Sequence, residues 1–304
     1  MPEATMPVLT AAQTVALLPF GPLCATLADT ARDYAAGRIT APERQVLPLP
    51  QDGVLLSMPA TASDIAIHKL VNVCPTNGGR GLPTIHGVVS LFDAVTGAPL
   101  MVLDGPTVTG RRTAAVTLLA IGKLAPAPLT HVALIGAGKQ SSSHVEALAA
   151  LHPGIRVDVH TRSLDTATAF VRAHADSGLD LRPASGPIDP AAQVVVALTT
   201  SRSPVYDEAP RPDRLLIGVG AFKAEMAEFG PVPVLGSDLF VDDPAGGRHE
   251  AGDLIQAGAD WATVRSLADA LDGPLTPGRA RLFKSVGCAA WDLAAARCAL
   301  SVRG

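Results

Sequence analysis

The chain has 304 residues, of which 48% are hydrophobic and 17% are charged, and its formal net charge is −4 at pH 7. This composition excludes an intrinsically disordered chain, which combines low hydrophobicity with high charge, and it excludes a collagen-like or disulfide-dense chain. The slight excess of acidic residues argues against a general nucleic-acid-binding surface, because phosphate binding needs clustered Lys and Arg. A chain of this length usually forms one large or two modest domains.

The four cysteines, Cys24, Cys74, Cys288 and Cys298, form neither a CxxC pair nor a Cys/His cluster with the spacing of a metal site. We therefore expect reduced thiols, no bound metal and a cytoplasmic location. The sequence shows no basic stretch followed by an apolar run and a cleavage site, and no apolar run has the length of a membrane span. It accordingly predicts neither a signal peptide nor a membrane partner.

The first third of the chain combines one helical pattern with several short strand patterns. Residues 10–37 predict one amphipathic helix, because apolar side chains recur at helical spacing and Gly37 follows as a stop signal. Turn residues separate the short apolar runs that come next, and this arrangement predicts an antiparallel or mixed sheet. The predicted strands are 44–49, 54–58, 65–73, 85–92 and 100–103.

A second helical pattern over 111–125 ends in a Pro-rich stretch, 125–128, which is the predicted domain boundary. Strand and helix patterns then alternate, and the strands are apolar on both faces, as buried parallel strands are. This region therefore predicts a doubly wound α/β sheet. Residues 281–302 predict a last helix that would return to pack on the first region. The predicted strands are 132–135, 156–160, 193–198, 215–219 and 239–241.

The most specific local signal is the junction around Gly136 and Gly138, where a buried strand passes directly into a helical pattern. In such a junction the first glycine permits a tight turn and the second lets the backbone approach a pyrophosphate, while the helix N-terminus offers unpaired N–H groups to the phosphates. The third position of the motif is Ser141, a small residue that still allows close packing of the helix on the strand. The context predicts a dinucleotide site, and the alternative is an ordinary glycine-rich turn.

The end of the second strand of this array distinguishes between the two nicotinamide dinucleotides. An NAD site would place Asp or Glu about 20 residues after the glycine loop, whereas this position holds His160, Thr161 and Arg162. A carboxylate would repel a 2′-phosphate, and Arg162 with the neighbouring hydroxyls would bind it. The sequence therefore predicts NADPH, with NADH less favoured. The alternative is that Asp158 or Asp165 binds the ribose.

Small and hydroxyl residues follow the fourth and fifth strands of the array, at Thr199 and Thr200 and at Val219 and Gly220. Ligands of doubly wound sheets bind outside the carboxyl ends of the strands. We therefore expect these residues to lie against the nicotinamide ring.

The first region carries four cations that could bind an anionic substrate: Arg44, Lys69, Arg111 and Arg112. Lys69 lies inside an apolar strand pattern, where a lysine is either on an exposed face or in a pocket that faces an anion. The forked guanidinium of arginine suits a planar carboxylate better than a lysine does. Each cation alone is more often a surface charge, but together they predict a pocket for a carboxylate.

Six short motifs occur in order along nearly the whole chain. They are Ile67-His-Lys-Leu-Val-Asn, Gly81-Leu-Pro-Thr-Ile-His-Gly, Thr109-Gly-Arg-Arg-Thr-Ala-Ala, Ile135-Gly-Ala-Gly-Lys-Gln, His249-Glu-Ala-Gly-Asp-Leu and Leu282-Phe-Lys-Ser-Val-Gly-Cys-Ala-Ala-Trp-Asp. With these motifs the chain resembles the ornithine cyclodeaminase/μ-crystallin family. The resemblance implies a Rossmann dinucleotide-binding domain, 116–280, and a second α+β domain for substrate binding and dimerisation, formed by 1–115 with 281–304. It also implies a homodimer.

The resemblance implies that Arg44, Lys69 and Arg112 contact a substrate carboxylate, with Lys69 and Arg112 as catalytic residues. Thr84 and His86 would lie near the substrate, although a lone histidine is more often a structural residue. The strand ends and the resemblance together predict a larger set of residues that contact the cofactor. These are Thr84, Arg112, Thr113, Gly136, Ala137, Gly138, Lys139, Gln140, His160, Thr161, Arg162, Thr199, Thr200, Val219, Gly220 and Ser285.

One departure from the family pattern narrows the expected reaction. Cyclodeaminases of the family carry an Asp after the fifth strand, where this chain has Phe222, and phenylalanine cannot manage the protons that cyclodeamination requires. The resemblance is therefore closest to ketimine reductases, NAD(P)H-dependent oxidoreductases that convert Δ1-pyrroline-2-carboxylate to L-proline and Δ1-piperideine-2-carboxylate to L-pipecolate. The alternatives are an alanine dehydrogenase or an ornithine cyclodeaminase on the same scaffold, or a non-catalytic NADPH-dependent ligand binder.

Overall fold

A computed structural model describes residues 6–304, and the chain divides into two units. The first unit comprises the described residues up to Thr113 together with Cys288–Gly304, and the second unit is Ala114–Gly287. The strands are β1 (Gln45–Leu49), β2 (Gly53–Thr61), β3 (Ile65–Val73), β4 (Ile85–Asp93), β5 (Pro99–Asp104), β6 (His131–Ile135), β7 (Arg156–His160), β8 (Asp180–Ala184), β9 (Val194–Ala197), β10 (Leu215–Gly218), β11 (Asp238–Val241), β12 (Arg265–Ser266) and β13 (Arg281–Lys284). The helices are α1 (Ala11–Leu17), α2 (Phe20–Ala35), α3 (Gly105–Leu124), α4 (Lys139–Leu151), α5 (Leu164–Ala173), α6 (Pro231–Leu235), α7 (Pro244–Glu250), α8 (Gly252–Ala257), α9 (Leu267–Asp272) and α10 (Ala289–Arg303).

The first unit is built on a five-stranded sheet in which every neighbouring pair is antiparallel and the strand order follows the chain. Along β3 the buried residues alternate with half-buried ones, because successive side chains of a strand point to opposite faces. The helix α10 packs against α2, β2 and β3. Lys69 has the same alternation as the buried residues Ile67 and Val71, so its side chain enters the covered side of the sheet.

The second unit is an eight-stranded sheet, and every pair in it is parallel. From β6 the chain adds β7 and β8 on one side, and it then continues with β9 and β10 on the other side. This reversal of strand order between β6 and β9 is the switch point of a doubly wound Rossmann sheet, where the carboxyl ends of the strands open a crevice for a ligand. The predicted α/β class with a parallel sheet is confirmed.

The helix predicted over residues 10–37 is wrong in one respect, because the structure has two helices there. The helix α1 begins at Thr10, whose side chain and that of Gln13 form a capping box, and it ends before Leu18, which has a non-helical backbone. Proline disfavours helical geometry in the residue before it and lacks an N–H group, so Pro19 separates α1 from α2. The two helices are bent by 69°.

The C-terminal segment also differs from the prediction of one helix over residues 281–302. Arg281–Lys284 forms β13, which is inserted between β10 and β11 in the parallel sheet, and only Ala289–Arg303 is helical. The predicted return of the chain to the first unit at residue 281 is therefore too early. The run Leu282-Phe-Lys is too short to show a strand period, so only pairing with β10 and β11 identifies it.

Within residues 6–304 the structure has no single helix with the length and hydropathy needed to cross a membrane. The bent pair α1 and α2 meets that criterion only when both helices are counted together, on length and composition. Within the described part of the chain none of the four cysteines forms a disulfide.

Candidate active site

Three buried side chains of the first unit, Lys69, Arg112 and Asp292, form what we call the cation cluster. Asp292 Oδ1 accepts hydrogen bonds from Lys69 Nζ at 3.1 Å and from Arg112 Nε at 3.3 Å, and Asp292 Oδ2 lies 3.2 Å from Lys69 Nζ. Two cations share one carboxylate, so the cluster carries an excess positive charge. In the part of the chain that the structure describes, the terminal amino groups of Arg112 donate to no residue. A guanidinium in this state can bind a planar carboxylate.

Burial lowers the pKa of the Lys69 ammonium to about 8, although the negative charge of Asp292 acts in the opposite direction. The positive charges of Arg112 and Arg44 add to the lowering, so the half-buried Arg44 acts on the same site. A lysine with this pKa is mostly protonated at neutral pH, and it gives up its proton more readily than an exposed lysine. This property suits a general acid.

Arg111 has a different environment from its neighbour Arg112. Its Nε donates to the carbonyl oxygen of Leu18 at 2.9 Å, and its guanidinium lies 3.9 Å from the centre of the Phe20 ring. These contacts hold the residues between α1 and α2, where the helical hydrogen-bond pattern is interrupted. The geometry gives Arg111 a structural role and does not support its place in the anion-binding set.

The remaining candidates of the first unit lie at its surface or inside α3. Thr84 and His86 are exposed, Thr84 just before β4 and His86 within it. Thr113 is buried on α3, directly after Arg112. Their contacts with a substrate or a cofactor stay predictions.

The glycine loop of the second unit has the geometry of a phosphate-binding turn. Gly136 has a φ of +121°, and a Cβ added to it would lie 2.8 Å from the carbonyl oxygen of Leu198, so only glycine fits. Gly138 immediately precedes α4, and a Cβ there would meet nothing within 4 Å. Within residues 6–304 no side chain caps α4, so its first N–H groups are available to bind a pyrophosphate.

Ser141 stands at the third position of the motif, where the usual residue is glycine, and its contacts show how serine fits there. Its side chain is buried, and its hydroxyl donates to the carbonyl oxygen of Gly136 at 2.9 Å. The hydroxyl therefore fastens the first turn of α4 to the glycine loop. The other loop residues, Ala137, Lys139 and Gln140, are half-buried, exposed and half-buried, respectively.

The end of β7 places His160 inside the unit and Arg162 at its surface. Burial lowers the pKa of His160 below its usual value, so the ring is neutral at pH 7. Thr161 donates its hydroxyl to the carbonyl oxygen of Ser163 at 2.6 Å, so this hydroxyl is already used in the turn. Asp158 is buried in the middle of β7, where His131 and Arg156 bind it. Asp158 is therefore not available to a ribose.

Two buried polar atoms of this region lack a hydrogen-bond partner within residues 6–304: Gln140 Oε1 and His160 Nε2. Buried polar atoms of native proteins are normally paired, so an unpaired one requires an explanation. Both belong to residues predicted to contact the cofactor. Together with the open space at Gly138, they fit a bound dinucleotide.

The residues that follow β9 and β10 are held by an acidic residue that sequence reasoning missed. The hydroxyl and backbone N–H of Thr199 and the backbone N–H groups of Val219 and Gly220 all donate to Glu228. Thr200 is exposed beside them. Glu228 therefore holds the backbone at both strand ends through hydrogen bonds within the protein.

Ser285, which follows β13, has a comparable partner. Its buried hydroxyl donates to Asp242 Oδ2 at 2.7 Å, and the N–H groups of Val286 and Gly287 also donate to that carboxylate. Asp242 directly follows β11, so one carboxylate joins two neighbouring strand ends. A contact of Ser285 with a cofactor stays a prediction.

Comparisons with known proteins show the family and the fold of the chain. The sequence profile described as the ornithine cyclodeaminase/mu-crystallin family matches residues 7–301. The chain belongs to this family. A family relative from Azospirillum brasilense, a Δ1-pyrroline-2-carboxylate/Δ1-piperideine-2-carboxylate reductase, is 57% identical over 97% of this chain and 95% of its own length.

Two solved structures share the fold over 98% of this chain. One is the Δ1-pyrroline-2-carboxylate reductase of Thermococcus litoralis in complex with NADH and L-proline, with a TM-score of 0.87, 24% identity and 97% of that chain covered. The other is an archaeal alanine dehydrogenase dimer with bound NAD, with a TM-score of 0.85, 25% identity and 95% of that chain covered.

Three functionally placed carboxylates were not among the candidates from the sequence: Glu228, Asp242 and Asp292. Asp292 is the only charged residue in the otherwise apolar run 288–296, and Glu228 lies between Ala227 and Phe229. An acidic side chain isolated among apolar ones is the signal that could have found Asp292 and Glu228, because a buried carboxylate is almost always paired. Asp242 is followed by Asp243 and gives no such signal.

Phe222 is the residue that the sequence resemblance aligns with an Asp of cyclodeaminases. It lies after β10, and 37% of it is exposed. The side chain adds a partly exposed aromatic surface beside the strand end and has no ionisable group. The role of Phe222 in excluding cyclodeamination stays a prediction.

Proposed function

We propose that this chain is a ketimine reductase, which reduces Δ1-pyrroline-2-carboxylate to L-proline and Δ1-piperideine-2-carboxylate to L-pipecolate with NADPH. The observation that carries the proposal is the cation cluster, in which two buried cations share one carboxylate and Arg112 keeps unoccupied donors. The 57% identity to a reductase of this kind supports the choice of substrate.

The excess positive charge of the cation cluster selects a substrate that carries a carboxylate. The fork of Arg112 can donate two parallel hydrogen bonds to it, and Arg44 adds a second positive charge near Lys69. Because the cluster is buried, its interactions are screened less by water than those of surface charges. A substrate without the carboxylate would leave these cations uncompensated and would bind poorly.

Reduction of the ring C=N bond requires a hydride at C2 and a proton at the nitrogen. A bound reduced nicotinamide supplies the hydride and is thereby oxidised. Lys69 supplies the proton: the π electron pair of the C=N bond moves to nitrogen and forms an N–H bond with the ammonium proton. Solvent then reprotonates Lys69. A pKa of about 8 keeps Lys69 protonated at neutral pH and still allows it to act as an acid.

The glycine loop and the ends of the neighbouring strands hold the cofactor. The open space at Gly138 and the first N–H groups of α4 receive the pyrophosphate. Arg162 provides the charge for a 2′-phosphate, because it is exposed and because Asp158 is already bound by His131 and Arg156. These features support NADPH over NADH.

The choice of cofactor is tested with Arg162→Ala. We expect kcat/KM for NADPH to fall about tenfold, while kcat/KM for NADH changes little, because one charge-assisted contact to the 2′-phosphate is lost. Arg202→Ala, another exposed arginine of the second unit, is the matched control. An equal fall of kcat/KM for NADPH and for NADH would show that Arg162 does not bind the 2′-phosphate.

The reaction is tested by the loss of absorbance at 340 nm with purified protein and each cofactor. The substrates are the five-membered and six-membered cyclic imines, pyruvate with ammonia, and no substrate. We expect oxidation of NADPH with the cyclic imines. Oxidation only with pyruvate and ammonia would favour the alanine dehydrogenase alternative, and cofactor binding without oxidation under any condition would favour a ligand binder.

We also propose a homodimer that forms through the outer face of the five-stranded sheet. One face of this sheet is packed against α10, and the register places Leu47, Leu55, Leu70 and Val88 together on the opposite face. Leu47 is 53% exposed and Val88 is 38% exposed. An apolar surface of this kind is typical of a subunit interface, and the related alanine dehydrogenase is a dimer. Light scattering should give about twice the chain mass of 31.1 kDa, and a mass of one chain would contradict the proposal.

A further inference from the structure

A single buried carboxylate binds both strand-end turns of the second unit. Glu228 Oε1 accepts from the N–H of Thr199 at 2.6 Å and from its hydroxyl at 3.0 Å. Glu228 Oε2 accepts from the N–H groups of Val219, Gly220 and Ala221, at 3.1, 2.8 and 3.1 Å. One side chain therefore fixes the turn after β9 and the turn after β10 at the same time.

Glu228 is part of what we call the carboxylate cluster, which also contains Lys284 and Asp253. All three side chains are fully buried. Lys284 Nζ lies 2.6 Å from Asp253 Oδ2 and 3.8 Å from Glu228 Oε2. Asp253 Oδ1 in turn accepts from the backbone N–H groups of Glu228 and Phe229. Asp253 thus holds the backbone of Glu228, and Lys284 provides the positive charge between the two carboxylates.

Backbone N–H donors surround Glu228 and favour its ionised form. Burial raises the pKa of Glu228 above its usual value, and Lys284 and the backbone N–H groups act against this effect. Oε2 meets only backbone N–H donors, so a carboxylic acid proton on this oxygen would face another donor. A carboxylate that accepts several backbone N–H bonds is stabilised in its charged form.

The two turns also touch each other directly. A Cβ added to Gly220 would lie 1.8 Å from the carbonyl oxygen of Thr199, so no side chain fits between them. A displacement of one turn therefore moves the other. The carboxyl ends of β9 and β10 are where the nicotinamide half of a dinucleotide is expected in a doubly wound sheet.

We propose that Glu228 is a positioning residue for the nicotinamide half of the cofactor, which acts by holding the Thr199 turn and the Val219–Ala221 turn in one fixed arrangement. This inference rests on the proposed function, because it assumes a nicotinamide dinucleotide. Glu228 does not touch the cofactor itself, since both of its oxygens are already used by the backbone and by Thr199. Within the described residues Glu228 makes no hydrogen bond to the glycine loop, which we propose to hold the pyrophosphate.

The test is the isosteric substitution Glu228→Gln. Whichever way the amide is turned, its NH₂ group replaces an acceptor and faces N–H donors, so one of the two turns loses its bonds. Binding is measured by titration with NADPH and with 2′-phospho-ADP-ribose, which keeps the adenosine, the 2′-phosphate and the pyrophosphate and lacks the nicotinamide ring. The exposed Glu225→Gln is the matched control.

For Glu228→Gln we expect the Kd for NADPH to rise about tenfold or more and the Kd for the fragment to stay within about twofold, because only the nicotinamide half loses its support. An equal loss of affinity for both ligands, or no loss of affinity for either, would overturn the inference. Wild-type protein that binds neither ligand would instead overturn the proposed function.

Where Glu228→Gln does not fold, Thr199→Val decides the question. This variant removes one hydroxyl donor to Glu228 and keeps the backbone bonds. We expect the Kd for NADPH to rise about threefold, since one hydrogen bond is lost. The Kd for the fragment should again change little. Unchanged affinity for both ligands, or an equal loss for both, would overturn the inference.

Discussion

Each unit of this protein contains a buried ion cluster built around one lysine, and the two clusters differ in charge. The cation cluster of the first unit has two cations and one carboxylate, whereas the carboxylate cluster of the second unit has two carboxylates and one cation. In the carboxylate cluster the excess negative charge is compensated by backbone N–H groups bonded to Glu228 and Asp253. In the cation cluster Arg112 keeps donors that no described residue uses.

This difference shows what separates a binding site from a structural element when both are buried. Burial and ion pairing alone do not distinguish them, because both clusters are buried and paired. The charge balance does: a buried charge that the protein leaves uncompensated requires a ligand of opposite charge. This criterion supports the proposal that the cation cluster binds an anionic substrate, and it favours a structural role for the carboxylate cluster.

The largest expected effect is on stability, for Lys284→Met in the carboxylate cluster. The substitution leaves Glu228 and Asp253 buried without a cation, and breaking a buried pair costs about 3–5 kcal/mol. We expect the melting temperature to fall by about 10 °C or more. Lys123→Met, at an exposed lysine of the same unit, is the control. A variant that melts like the wild type would contradict a structural role for the carboxylate cluster.

The next prediction concerns activity, for Arg112→Met in the cation cluster. Asp292 keeps Lys69 as its partner, so the cluster becomes neutral and stability should change by no more than about 1 kcal/mol. Loss of the guanidinium fork should lower kcat/KM for the cyclic imine about 100-fold, mainly through KM. Melting and steady-state kinetics of the same preparation separate the two effects. A loss of stability as large as that of Lys284→Met would abolish the distinction between the clusters.

The smallest expected change in activity is a displacement of the pH profile by Asp292→Asn, a substitution that also leaves two buried cations without their carboxylate and lowers stability. Reduction needs the protonated form of Lys69, so the kcat/KM of the wild type should fall as the pH rises through about 8. Asp292 raises the pKa of Lys69, so removing its charge should move this fall to lower pH by about one unit. Asp29→Asn, at an exposed site of the same unit, should leave the profile in place. If the fall of kcat/KM at high pH occurs at the same pH in Asp292→Asn as in the wild type, Lys69 is not the titrating acid.

Much of the fold could be predicted from local patterns. The strand Ile65–Val73 has the predicted bounds, because its residues alternate regularly and turn residues flank it. The break at Pro19 and the strand Arg281–Lys284 were missed for different reasons. A single proline competes with a strong helical period, and a four-residue strand has no period of its own until neighbouring strands pair with it.

The sequence by itself was enough to identify the glycine loop, the family and the candidates Lys69 and Arg112. Each of these depends on residues that are close together in the chain or on motifs in a fixed order. Only the tertiary structure decided which carboxylate each cation meets. Asp292 lies 223 residues from Lys69 in the chain, and Glu228 meets Lys284 only because β10 and β13 are neighbours in the sheet. Ion pairing between distant segments depends on packing in three dimensions, and the charge of a residue does not specify its partner.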